Sequence, residues 1–118
     1  DAGIVRDAAS LARATAALGD LAAALAGIRA TGGRAFNLAW HAALDLQSLI
    51  EVSRVIVAAA MARENSRGAH YRADFTAPGE LAASTFTRVR ADCAERLAVE
   101  HVAVKFARVR PGETLLRD

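Results

Sequence analysis

NLAWHAALDLQSLIEVSRVIVAAAMAR, residues 37–63, holds neither proline nor glycine. Asn37 is a short acceptor placed where a helix could start. Leu38, Trp40, Leu44, Leu46, Leu49, Ile50, Val52, Val55, Ile56, Val57 and Met61 follow it. The β-branched run Val55-Ile56-Val57 taken alone favours a strand, but the length of the stretch and its lack of breakers favour a helix. From Leu49 to Ala62 only Glu51, Ser53 and Arg54 interrupt the apolar surface. A helix apolar on most sides is buried on most sides. Leu44 to Arg63 is therefore expected at the centre of a bundle, with Ile56 in its core.

Upstream, Asp7 reads as an N-cap before a second apolar-periodic run. Leu11, Leu18 and Leu25 recur every seventh residue, with Ala14, Leu21 and Ile28 between them. That spacing puts one stripe on one helix face, from about residue 8 to residue 30. Thr31-Gly32-Gly33 is expected to end this helix, because glycine accepts the left-handed conformation of a helix stop. The central helix should run over about residues 37–65.

Downstream the pattern changes. Residues 66–83 read as a loop punctuated by Gly68, Pro78 and Gly79. Ser84 to Ala91 and Ala98 to Val109 alternate with period two and read as strands of a hairpin over about 84–110, with Asp92 to Arg96 as its turn. A lone hairpin is marginal, so it should lie on the bundle or on a further domain. The expected fold is mainly α: one domain over residues 1–118, a helical bundle with a C-terminal β-hairpin.

The composition agrees with this. Hydrophobic residues make up 53% and aromatics 5%, so the apolar content is alanine, leucine and valine, and alanine is the best helix former. The net charge of +2 is too small to demand a polyanionic partner. Cys93 is the single cysteine, which excludes an internal disulfide and makes a reducing, cytoplasmic setting the default. No apolar run approaches the roughly 18 residues of a membrane span. Asp1 follows no signal peptide and is not an initiator methionine, which suits a piece excised or processed from a longer chain.

Chemistry is concentrated in residues 63–74. Arg63, Glu64, Arg67, His70, Arg72 and Asp74 surround Gly68. As a functional site they could clamp an anion, since arginine meets carboxylates bidentately. As a structural device they could pair with acids or cap the carbonyls at the end of the long helix, with Gly68 making the turn. The structural reading is favoured, because a small bundle offers an anion few walls. Elsewhere, no glycine-rich loop joins a strand to a helix, so neither a dinucleotide fingerprint nor a phosphate loop is present. His41, His70 and His101 are scattered and Cys93 lacks a second cysteine, so a metal site has weak support. Arg88-Val89-Arg90 and Arg108-Val109-Arg110 could form a basic ribbon if paired across a hairpin. Asp92, Glu95, Glu100 and Glu113 dilute it, and no nucleic-acid partner is expected. Trp40 and His41 are expected to pack, and Tyr71, Phe75 and Phe86 to staple the loop to the core.

Four segments resemble one family, that of the succinate dehydrogenase and fumarate reductase flavoproteins. DAGIVRDAASLARA (1–14) resembles the stretch that opens its C-terminal helical domain. FNLAWHAALDLQSLIEVSRVIVAAAMAR (36–63) resembles its long central helix. ENSRGAHYRADF (64–75) is the most specific match, and L-aspartate oxidase shares a version of it. FARVRPGETLL (106–116) resembles a C-terminal strand of a bacterial subgroup. One departure is that Thr76-Ala77-Pro78 follows Phe75, where the family usually has proline directly, so the loop should turn two residues later.

The resemblance implies a spectrin-repeat-like bundle of three helices, with Asp1 to Val5 as the last turn of a truncated first helix. It implies a parent enzyme that uses FAD to oxidise or reduce dicarboxylates. FAD, like every catalytic residue, would lie in the parent's other domains, with no cofactor here. Ser66, Arg67, Gly68, His70 and Arg72 carry over only as a motif that packs against the parent's FAD-binding domain. An iron–sulfur subunit is a further implied partner, which would bring the protein to the cytoplasmic face of a membrane. By itself the piece is expected to form a homodimer. An L-aspartate oxidase C-terminal domain and a free-standing helical interaction module are the alternatives, and a complete small enzyme is the weakest reading.

Overall fold

Two capped helices and a hairpin make up most of the chain. The structure, a computed structural model, describes residues 2–93 and 96–113. Helix α1 spans Ala8–Leu25. Asp7, in an extended conformation, accepts from the Ser10 backbone N–H at 2.6 Å, and the Ser10 hydroxyl lies 3.0 Å from the Asp7 N–H. This reciprocal box satisfies amides that a helix start leaves without partners. Helix α2 spans Leu38–Ala62, and the Asn37 side chain accepts from the Trp40 N–H at 3.0 Å.

α1 ends at Leu25, short of the glycine pair expected to stop it. Gly27 and Ile28 donate to Ala24 and Leu25 across three residues. The helix thus tightens and terminates just before Gly27, having passed through Gly19 in its interior.

The start of α1 packs on the end of α2, so the helices run antiparallel. Leu11, Ala14, Val57 and Ala60 form the core, with Leu18 and Met61 against it. The leucine heptad of α1 thus faces inward, while Leu21 and Ile28 remain largely exposed.

α2 departs from its expected place at the centre of a bundle. Its buried residues are Ile50, Val57 and Ala60. Leu49, Val52 and Ile56 are 63%, 56% and 53% exposed. Their spacing of three and four residues makes them a second stripe on one face. The helix carries two apolar faces and buries one, so Ile56 is a surface residue of this chain.

The expected three-helix arrangement is not seen: the described residues form two helices. The segment expected to be the last turn of a truncated helix is extended. Val5–Arg6 (β1) pairs in parallel with Tyr71–Arg72 (β2), and the Ala73 N–H extends the pairing to the Arg6 carbonyl at 2.7 Å. An extended entry also suits the conformation that Asp7 needs as a cap.

The hairpin consists of β3 (Thr85–Ala91) and β4 (Leu97–Ala103), paired antiparallel. One of its faces meets α2. There Leu97 and Val99 join Leu18, Val57, Ala58 and Met61 around an apolar groove of about 610 Å³. On the other face Glu100 lies opposite Arg88, accepts from it at 3.2 Å and pairs with Arg90 at 3.3 Å. β4 ends before Arg108, so the two arginine triplets do not pair into a basic ribbon. Phe86, expected to staple the core, is 63% exposed on this outer face.

Candidate functional site

The residues that follow α2 fold back under its C-terminus. A helix end leaves carbonyls without intrahelical donors. Here a single arginine, distant in sequence, supplies them. Arg72 Nη1 lies 3.0 Å from Ala60 O, 3.1 Å from Met61 O and 3.3 Å from Arg63 O. Its Nε and Nη2 donate to the two Asp74 oxygens, each at 2.7 Å. Asp74 Oδ2 also accepts from the Ala8 N–H at 2.9 Å. A cation therefore sits at the carbonyl end of α2 and its partner anion at the amide end of α1, which matches both helix dipoles. Arg72 is 1% exposed, and its guanidinium lies 5.0 Å from the centre of the Phe75 ring.

The titration behaviour follows from this geometry. The Arg72 fork holds the Asp74 carboxyl well below the usual carboxylate range, helped by the Ala8 N–H. The same fork raises Arg72, against the opposing effect of burial.

Ser66 and Gly68 shape the loop. The Ser66 hydroxyl accepts from the Arg72 N–H at 2.8 Å and shares its own proton between Phe75 O at 2.8 Å and Arg72 O at 3.1 Å. Arg67 and His70 exchange backbone hydrogen bonds of 2.9 and 3.2 Å around a two-residue turn. Gly68 opens that turn at φ +61°, a conformation that glycine adopts without steric cost.

His70 is 7% exposed and lies among arginines. Its Nδ1 faces Arg6 Nη1 at 3.1 Å, and its Nε2 faces Arg63 O at 3.4 Å. A guanidinium only donates and a carbonyl only accepts, so this arrangement takes the neutral ring with its proton on Nε2. Burial pushes the His70 pKa down, and Arg63, Arg6 and Arg72 add to that.

Arg67 reaches outward along the loop. Its Nε and Nη2 donate to Pro78 O at 3.2 and 3.0 Å, and its Nη1 donates to Ser84 Oγ at 2.7 Å. It thereby ties the loop to the start of the hairpin. Arg63 contacts Asn65 Oδ1 at 3.2 Å. Burial, Arg67 and Arg6 together lower its pKa.

The structure thus gathers Ser66, Arg67, Gly68, His70 and Arg72 into one knot. Their contacts match the structural reading of the cluster, in which they cap a helix end and pair with an acid. Arg6 is the member that sequence reasoning missed. It reaches His70 through β1–β2 pairing, and no local periodicity marks a two-residue strand whose partner lies so far along the chain.

The chemistry available here is that of a brace. At the helix starts Asp74 and Asp7 meet the Ala8 and Ser10 amides and Asn37 meets that of Trp40, and neither start follows a strand through a glycine-rich loop of the kind that cradles a pyrophosphate. These residues do not fit FAD. Among the described residues no group of three or more His, Cys, Asp or Glu side chains is placed to hold a metal ion, and no helix is long and apolar enough to cross a membrane.

Residues 1–115 match the family model described as fumarate reductase flavoprotein C-term. The chain is 35% identical over 114 residues to a fumarate reductase flavoprotein subunit of Mycobacterium tuberculosis, covering 95% of this chain and 19% of that one. Its structure is similar to a chain of the Mycobacterium smegmatis Sdh1 complex in the apo form. That match has a TM-score of 0.77 and 30% identity, and it covers 92% of this chain and 19% of the other. A quinol fumarate reductase structure from E. coli with a mutation in FrdA matches with a TM-score of 0.85 at 24% identity. It covers 94% of this chain and 20% of that one, and supports the fold. The chain therefore spans about a fifth of the length of the relatives it matches.

Proposed function

Because the chain belongs to the fumarate reductase flavoprotein C-terminal family, we propose that it is the non-catalytic, interdomain module of an FAD-dependent dicarboxylate oxidoreductase. It docks on the FAD-binding domain of its parent chain. The observation that carries this reading is the outward stripe of α2, with Leu49, Val52 and Ile56 each more than half exposed. An apolar stripe of that kind on a helix calls for a covering surface.

Ser66, His70 and Arg72 hold the knot from within, while Gly68 and the outer edge of Arg67 are offered to the neighbouring domain. FAD and succinate or fumarate belong to the parent's other domains, because this chain's residues provide neither a pyrophosphate cradle nor an enclosed carboxylate clamp. The parent works beside further subunits, an iron–sulfur subunit among them, at the cytoplasmic face of a membrane. The similarity to a chain of the M. smegmatis Sdh1 complex, also solved in complex with UQ1, supports the presence of further subunits.

Equilibrium dialysis against FAD, and calorimetry with succinate, test the non-catalytic assignment. The isolated chain should emerge colourless and without heat of binding. A retained flavin absorption band would overturn it.

A further inference from the structure

His70 is 7% exposed, and both of its ring nitrogens meet partners from this chain. Nδ1 accepts from Arg6 Nη1 at 3.1 Å, and Nε2 donates to the Arg63 carbonyl at 3.4 Å. The neighbouring domains of a longer parent can only add to this burial.

Arg6 belongs to β1, which is two residues long. Its backbone lies beside Arg72, and its carbonyl accepts from the Ala73 N–H at 2.7 Å. Its Nε turns back to donate to Gly3 O at 2.7 Å, so the approach to the strand hangs on the same side chain. An isolated pair of strands is marginal even at ordinary length. The contact of Arg6 with His70 is what fastens so short a pairing.

The charges that face the ring share one sign. Arg6 comes from β1, Arg63 from the end of α2 and Arg72 from β2. The carboxylates of Asp74, Glu64 and Asp7 bear on Arg72. A second proton on the ring turns Nδ1 from an acceptor into a donor and sets two cations 3.1 Å apart. One of them has to leave. Arg72 is fixed by three carbonyls and by Asp74, whereas Arg6 rests on a two-residue strand.

We propose that His70 is a proton-operated latch on β1. With the ring neutral, Arg6 is held and β1 lies along β2. Proton uptake at Nδ1 ejects the Arg6 side chain and frees β1 from the knot. The helical hairpin stays closed, because the Arg72–Asp74 fork, the Ala8 N–H on Asp74 and the Asp7–Ser10 box do not pass through His70. β1 is thus a pH-dependent joint leading into α1, and its opening is distinct from unfolding of the chain. Burial, joined by Arg63, Arg6 and Arg72, keeps the ring below its usual 6.5. The latch is therefore closed at neutral pH and opens in acid. It is internal to the chain and does not depend on what α2 docks against.

Two-dimensional NMR of the chain, titrated from about pH 8 to about pH 5, tests the latch across the range in which a histidine titrates. The Ala73 amide reports the β1 pairing, and the Ser10 amide reports the cap of α1. Protection of the Ala73 amide from solvent exchange should fall about tenfold for each pH unit below the His70 midpoint, the slope for uptake of one proton. Ser10 should keep its protection. His70→Gln retains a side-chain oxygen that can accept from Arg6 and takes up no proton, so Ala73 should stay protected throughout. Arg6→Leu should raise the His70 midpoint, since a cation facing Nδ1 is gone, and should remove the pH dependence of Ala73 protection. Ala73 protection that stays flat through the His70 titration, Ser10 protection lost in step with it, or a His70 midpoint unmoved by Arg6→Leu would each overturn the proposal.

Discussion

Arg72 and Asp74 form a two-bond fork, 2.7 Å on each arm, that joins the carbonyl end of α2 to the amide end of α1. Two residues apart in sequence, they close a helical hairpin whose ends are far apart along the chain. The fork explains how a chain with so few buried side chains holds its helices in register at this end.

Replacing Arg72 with methionine should therefore be severe. It leaves the Ala60 and Met61 carbonyls without the Arg72 donor and reduces Asp74 to its bond with the Ala8 N–H. Arg72 is buried while Asp74 is 29% exposed, so the cost falls on the buried, carbonyl-capping end of the pair and exceeds that of an exposed pair. By contrast, Arg88→Ser removes a solvent-exposed partner of Glu100 and should cost under about 1 kcal/mol. Chemical denaturation of the two variants checks this, and equal midpoints would refute the central role of the fork.

Stability should fall in two steps as the pH is lowered. His70 has a folded pKa below its usual 6.5 because it is buried among arginines, so the unfolded chain binds its proton more readily. The neutral ring's contribution is present above about pH 6.5 and declines as the pH falls below that value. Asp74 has a depressed folded pKa through its fork with Arg72. Its contribution is present above its unfolded value of 3.8 and is lost as the pH falls further. Thermal melts across pH should show the first step vanish in His70→Gln and the second shrink in Asp74→Asn.

Two adjacent positions separate the faces of α2. Val57 is 4% exposed and Ile56 is 53% exposed. Val57→Asp should unfold the chain, since an unpaired buried carboxylate costs several kcal/mol, comparable with the whole stability of a small domain. Ile56→Asp should leave a folded chain. Circular dichroism melts decide it, and loss of fold in both would restore α2 to the centre of a bundle.

That pair also shows what the sequence made legible. The helix type, both N-caps and the hairpin alternation are local signals, carried plainly by residues 37–63, by Asp7 and by the period-two runs after residue 84. Which apolar face of α2 is buried is not local, because Leu49 and Ile50 look alike until a partner surface is specified. β1 escaped notice for the same reason. Its pairing depends on Tyr71–Arg72 arriving alongside it, and two residues show no period. The motif residues were recognisable as a cluster, and the capping of α2 by arginine was one of two readings. The pairing of Arg6 with His70 had no signal in sequence.

Self-association should accompany the open stripe. Light scattering at micromolar concentration should give about twice the 12.4 kDa of one chain, since a two-fold pairing of like patches is the commonest way to cover them. Ile56→Asp should return the chain to a monomer. A wild-type mass of one chain would show that the stripe tolerates water.

The most direct test of the module assignment is docking in trans. The flavin-bearing remainder of the parent flavoprotein, produced without this segment, is titrated with the chain in a calorimeter. A one-to-one complex that Ile56→Asp weakens by tenfold or more, about 1.4 kcal/mol, is the predicted result. Absence of binding, or binding that Ile56→Asp leaves unchanged, would contradict the docking of α2 on the flavin domain.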